Sequence, residues 1–219
     1  MGKNVYSLVL NDDIVAYVDK LAYEKHTNRS NMINQILAEY FSFITPEQHT
    51  RAIFDRIEEI LNGHTTLRTM MTPSDTMLSL RSALVYKYNP SVKYNVELYK
   101  NGYPILGELR VSMRTQNSTL ILYMMQFFKL WIGIERRYIG ETEYIIEDGK
   151  LSRKLKARIN SSASEYMSSA TLGELIAEYI GTLDKAMKVY FSKINDIDEA
   201  SLEISRIYRE YLQRSAEII

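Results

Sequence analysis

Cysteine is absent from the 219 residues. That excludes disulfides and thiolate metal sites, and the expected setting is a reducing, cytoplasmic one. Histidine is scarce: His26, His49 and His64 stand far apart, without the spacing of metal ligands. Charge of one sign is not in excess, since 27 basic residues face 27 acidic ones. No phosphate-binding glycine loop, nucleophile elbow or HExxH motif occurs. The carboxylates are plentiful, but no motif pairs them. These absences point away from an enzyme and from any metal or cofactor. Nor is there a secretory leader pattern, because an alternating stretch with acids follows the N-terminus at once.

A long uninterrupted hydrophobic run is also missing. The most apolar stretch, residues 118–139, is broken by Gln126 and Lys129 and closed by Glu135-Arg136-Arg137. A membrane span needs about 20 nearly uninterrupted apolar residues. The stretch reads as the buried central helix of a domain, and no membrane partner is expected.

What is present begins near the N-terminus. Val5-Tyr6-Ser7-Leu8-Val9-Leu10 alternates with period two, which puts Tyr6, Leu8 and Leu10 on one face and Val5, Ser7 and Val9 on the other. A first short helix is expected over Asp12 to Lys25, capped by Asn11 or Asp12, with Ile14, Val18 and Leu21 on one stripe. A second is expected from Arg29 to Phe41, capped by Asn28, with Met32, Ile33, Ile36, Leu37, Tyr40 and Phe41 on its apolar side. One strand and two helices cannot bury those stripes alone, and a lone strand has no partner for its backbone. Pairing with a second copy solves both problems, so the expected unit is an intertwined dimer.

This pattern resembles the ribbon-helix-helix family of DNA-binding proteins. The resemblance rests on Tyr6, Leu8 and Leu10, on Asn11-Asp12-Asp13, on Asn28-Arg29-Ser30, and on Met32-Ile33 with Ile36-Leu37. His26 or Thr27 stands where the family turn usually carries glycine. The resemblance covers about a fifth of the chain and implies a two-stranded ribbon in the major groove of double-stranded DNA. Its outward residues Val5, Ser7 and Val9, with Lys3 nearby, would contact base edges. Asn28, Arg29 and Ser30 would meet a phosphate at the start of the second helix. Two valines depart from the usual polar face. Residues 1–44 carry four cations against five acids, which is not a basic footprint.

The rest of the chain has its own punctuation. Thr45-Pro46-Glu47-Gln48 starts a helix that should run to about Leu61 and end at Asn62-Gly63. Residues 62–72 read as a linker, and Thr72-Pro73-Ser74-Asp75 as the start of a short helix. A three-stranded antiparallel meander should follow, from Ser82–Tyr88, from Val92–Leu98 and from a return strand through Leu109, Val111 and Met113, with a hairpin turn at Asn101-Gly102. Asp148-Gly149 should turn a second hairpin. Its return strand belongs to a run of five cations, Lys150, Arg153, Lys154, Lys156 and Arg158, which is a candidate secondary phosphate patch. Thr171-Leu172-Gly173-Glu174 and Asp196-Ile197-Asp198-Glu199 start two helices that form a hairpin.

The expected fold class is therefore α+β. Residues 1–44 form the dimerising module, 45–73 a connecting helix and linker, and 74–219 a domain for oligomerisation, a small-molecule effector or a protein partner. The expected function is a sequence-specific transcriptional regulator, a repressor, acting as a homodimer or homotetramer. Two other readings stand beside it. One is a plasmid partition or relaxosome accessory protein built on the same module. The other is a dimeric scaffold in which the module is only a clasp.

Overall fold

In the computed structural model, the described residues are 7–40, 45–64, 66–70, 73–87, 89–100, 105–156 and 168–214. They belong to two units, Met1–His49 and Thr50–Ile219. In the first unit, Asn11 accepts the Asp13 N–H at 2.8 Å and starts helix α1, Asp12–Glu24. Asn28 accepts the Asn31 N–H at 2.9 Å and starts α2, Arg29–Tyr40. Val18, Ala22 and Met32 pack between the two helices, with Ile33 beside them.

Thr45 and Gln48 form a reciprocal capping box. The Gln48 N–H donates to Thr45 Oγ1, and the Thr45 N–H donates to Gln48 Oε1. They open α3, Pro46–His64. This helix is more than a connector, because its Ile53, Phe54, Ile57 and Leu61 enter the main core of the second unit.

The second unit is mixed helix and sheet. One antiparallel sheet holds β1 (Arg68–Thr69), β2 (Met77–Ala83), β3 (Ser91–Leu98), β4 (Ile105–Met113), β5 (Tyr144–Glu147) and β6 (Lys150–Lys156), in the order β1-β2-β3-β4-β6-β5. Alternation divides its faces. Leu78, Leu80, Val92, Tyr94, Val96, Leu109, Val111, Leu151 and Leu155 point inward and are buried. Against them pack α3, α4 (Ser118–Ile139), α5 (Ser169–Ser192) and α6 (Ile197–Arg214). The opposite face is polar, as expected of an antiparallel sheet covered on one side.

Particular contacts fix these layers. A Cβ on Gly173 of α5 would stand 2.7 Å from Arg56 Cβ and 3.0 Å from the Ile53 carbonyl oxygen, so glycine lets α5 approach α3 closely. Tyr94 donates from the sheet to buried Asp184 on α5 at 2.9 Å. The β5–β6 turn puts Asp148 at φ 47° and Gly149 at φ 72°, both left-handed.

Several expectations need correction. Strand β2 begins at Met77, not Ser82, and its inward positions are Leu78, Leu80 and Ser82. The polar serine in an inward slot disguised the phase. No helix starts at Pro73. Instead Ser74 Oγ accepts the Met77 N–H at 3.0 Å and turns the chain into β2. The expected linker contains β1, which pairs with β2 from Arg68↔Arg81 to Thr69↔Leu80. The three-stranded meander is part of a six-stranded sheet. Helix α5 starts before Thr171, because Ser168 is its cap and accepts the Thr171 N–H at 3.1 Å. Asn101-Gly102 lies outside the described residues. Among those described, no helix is long and apolar enough to cross a membrane, and α4 is a core helix carrying Phe127, Phe128 and Trp131.

Candidate nucleic-acid interface

The expected interface starts from a chain segment and a helix terminus. Lys3 and Val5 lie outside the described residues. Ser7, Leu8, Val9 and Leu10 are all exposed in the single chain, and none of these four is in a strand. Val9 is fully exposed, and Leu8 is 66 % exposed. Ile14, Leu21, Ile36 and Leu37, four of the residues expected to be buried, are also exposed. Each helix buries only two side chains: Val18 and Ala22 on α1, Met32 and Ala38 on α2.

The turn between the helices is tight. The Thr27 N–H donates to the Ala22 carbonyl at 2.9 Å, and the Lys25 N–H to Leu21 at 2.9 Å. His26 closes this C-terminus in the left-handed conformation, φ 52°. It is one of the two residues, with Thr27, that stand where the resembling family usually carries glycine. A Cβ in that region is strained, whereas glycine is not. His26→Gly should therefore stabilise the helix pair by about 0.5–1 kcal/mol, the relief of strain outweighing the added freedom of the unfolded chain. Amide hydrogen exchange across α1 and α2 reads this as slower opening. Faster exchange would mean that the histidine side chain makes a compensating contact.

At the start of α2, Asn28, Arg29 and Ser30 are all exposed. One amide there, that of Asn31, is taken by the Asn28 cap. Arg29 is not free. It grips Asp19 of α1 with both arms of its fork, Nε to Oδ1 at 2.7 Å and Nη2 to Oδ2 at 2.5 Å. The hydrogen bond from Arg29 holds the Asp19 carboxyl below its ordinary range. About half of each side chain remains in solvent, 55 % for Arg29 and 45 % for Asp19. An exposed pair of this kind is weak and screened by salt, so a phosphate can compete for the guanidinium.

Three of the five cations in the run of the second unit are neutralised rather than presented. Arg153 is 1 % exposed and pairs with Glu135 of α4, which is fully buried. Lys154 bonds Glu108 at 2.6 Å, and Lys156 bonds Glu143 at 3.0 Å. Glu108 also accepts from Arg110 at 2.7 Å and from Ser152. Burial pushes the Glu108 carboxyl up, but the bonds from Lys154, Ser152 and Arg110 outweigh it and hold the group at about 2. Lys150 is exposed, and Arg158 lies outside the described residues. Two-residue alternation was the missed signal, because Arg153 is in phase with buried Leu151 and Leu155. An open cleft of about 370 Å³ runs past Arg136, Tyr144 and Lys154 at the β5 edge of the sheet.

The described residues hold no cluster of three or more metal-binding side chains. No family model matches the chain, and no curated protein or solved structure matches it either.

Proposed function

We propose that the protein is a dimeric, sequence-specific regulator of double-stranded DNA, a repressor, with residues 3–10 paired as a ribbon across two copies. The observation that carries this reading is the state of the first unit. Two capped helices meet at a glycine-like turn, yet their apolar stripes and the preceding Leu8 and Leu10 stay open. A module of roughly 40 residues rarely stabilises itself without a partner. A second copy would cover both the stripes and the strand edge. That pairing turns Val5, Ser7 and Val9 outward toward base edges and the two Asn28-Arg29-Ser30 starts toward flanking phosphates. Plasmid partition or relaxosome work would use the same geometry and differ only in carrying a tandem array of sites.

The test is fluorescence anisotropy on fragments of the protein's own genomic neighbourhood, across a salt series. Nanomolar binding to one fragment, with affinity falling steeply as salt rises, is the expected result. Ser7→Ala with Arg29→Gln should weaken that binding about tenfold or more and leave the dimer intact. Unchanged binding would remove the ribbon as reader. The Arg29–Asp19 pair and the acidic balance of the module favour one other reading, a clasp joining two scaffold domains. Absence of binding to every fragment would select it.

A further inference from the structure

The polar face of the sheet carries a row of cations that no sequence run announces. Arg68 of β1 stands opposite Arg81 of β2, and Arg81 stands opposite Lys93 of β3. Directly opposed residues share a face, so three cations lie side by side across three strands. Neighbouring strands are about 4.8 Å apart, which makes the row about 10 Å long. Arg68 and Arg81 are exposed and Lys93 is half-buried.

The surroundings are neutral or basic. Lys93 faces Ser112 on β4. Along their own strands, Arg81 and Lys93 are flanked by Ser79, Ala83, Ser91 and Asn95. No carboxylate occupies any adjoining position on this face. The nearest acid on β3, Glu97, is held by Arg110 at 2.9 Å. Neither Arg81 nor Lys93 forms an ion pair among the described residues. The other half of the face behaves differently, with Lys154 and Arg110 both tied to Glu108. Like charges set directly opposite each other destabilise a sheet. Between Arg81 and Lys93 that repulsion is left uncompensated among the described residues, and a polyanion would compensate it.

We infer that Arg81 and Lys93, with Arg68 beside them, form a second contact to the phosphate backbone of the bound duplex. The inference rests on the DNA-binding reading and extends its footprint to the second unit. Arginine grips a phosphate with a fork and lysine as a point charge, while Ser79, Asn95 and Ser112 supply neutral donors around them. A contact of this kind positions the protein and reads no sequence.

The test uses the full chain on its best-bound duplex and on a scrambled duplex of equal length. Arg81→Gln with Lys93→Gln should weaken both complexes by the same factor. The slope of log affinity against log salt should become shallower by about 1.8, or 0.9 for each lost phosphate contact. The charge-preserving swap, Arg81→Lys with Lys93→Arg, should keep the wild-type slope. Lys129→Gln, on the exposed side of α4, removes one cation away from the row and should leave the slope unchanged. Thermal melting of the glutamine variant should be no lower than wild type. A wild-type slope in that variant overturns the inference while the ribbon reading stands. A wild-type protein that binds neither duplex overturns both.

Discussion

Replacing Arg153 with methionine should cost the protein about 3–5 kcal/mol of folding stability, because it strands a carboxylate in the core. Glu135 sits on the apolar side of α4 among Trp131, Ile132 and Ile134, with no exposed surface. Its Oε2 accepts from Tyr144 at 2.9 Å, from Tyr179 at 3.1 Å and from Arg153 Nε at 3.3 Å. Arg153 Nη2 lies 3.2 Å from Oε1, and the guanidinium lies 4.3 Å from the centre of the Tyr179 ring. The phenol of Tyr179 also accepts from the Trp131 indole at 3.0 Å. The network therefore ties β6 and β5 to α4 and α5 through one charge pair. Two hydroxyl donors cannot replace a guanidinium in that environment.

The double replacement Glu135→Leu with Arg153→Met removes both charges at similar volume. It should recover most of the loss, since buried pairs often fare no better than a well-packed apolar substitute. Arg153→Lys should remain damaging, because an ammonium can neither stack on Tyr179 nor fork to the carboxylate. Urea unfolding followed by far-ultraviolet circular dichroism measures all three. A loss below about 1 kcal/mol in the methionine variant would show that water reaches Glu135 and that the pair is not structural.

This pair also shows what a sequence discloses and what it hides. Local rules were legible. Asn11, Asn28 and the Thr45–Gln48 box each cap the helix expected of them, and Asp148-Gly149 makes the expected turn. Such devices act within four residues, so spacing alone exposes them. Long-range pairings were not legible. Arg153 read as one of five cations, because its partner Glu135 is a helix away. Strand β1 has two residues and exists through β2, so no periodicity could announce it. The row Arg68, Arg81 and Lys93 arises from register across three strands, which the spacing of those residues does not encode. Of the proposed ribbon contacts, Ser7 and Val9 are exposed and in no strand in the single chain, and the grip of Asp19 on Arg29, ten residues apart across a turn, went unseen.

On the dimeric DNA-binding reading proposed above, changing Leu8 to aspartate should raise the dimer dissociation constant about 100-fold or more and abolish nanomolar DNA binding. Leu8 shares its alternating phase with Leu10, and both are exposed in the single chain, as are Ile14 and Leu37. Within the first unit, the packed cluster of Val18, Ala22 and Met32 is too small to hold the helices without help. In a two-fold dimer the substitution occurs once in each copy of a self-complementary interface. Burying one leucine contributes about 1.5–3 kcal/mol, so two copies lose at least about 3, before the cost of dehydrating two carboxylates is added. That is about two powers of ten in affinity. Val9→Ser is the control. Val9 is fully exposed and belongs to the outward phase, so its change should leave the dimer intact and alter only the choice of base. Sedimentation equilibrium reads the first effect and anisotropy the second. A dimer constant within threefold of wild type for the Leu8 variant would mean that the second unit alone holds the copies together, and the ribbon would lose its structural basis.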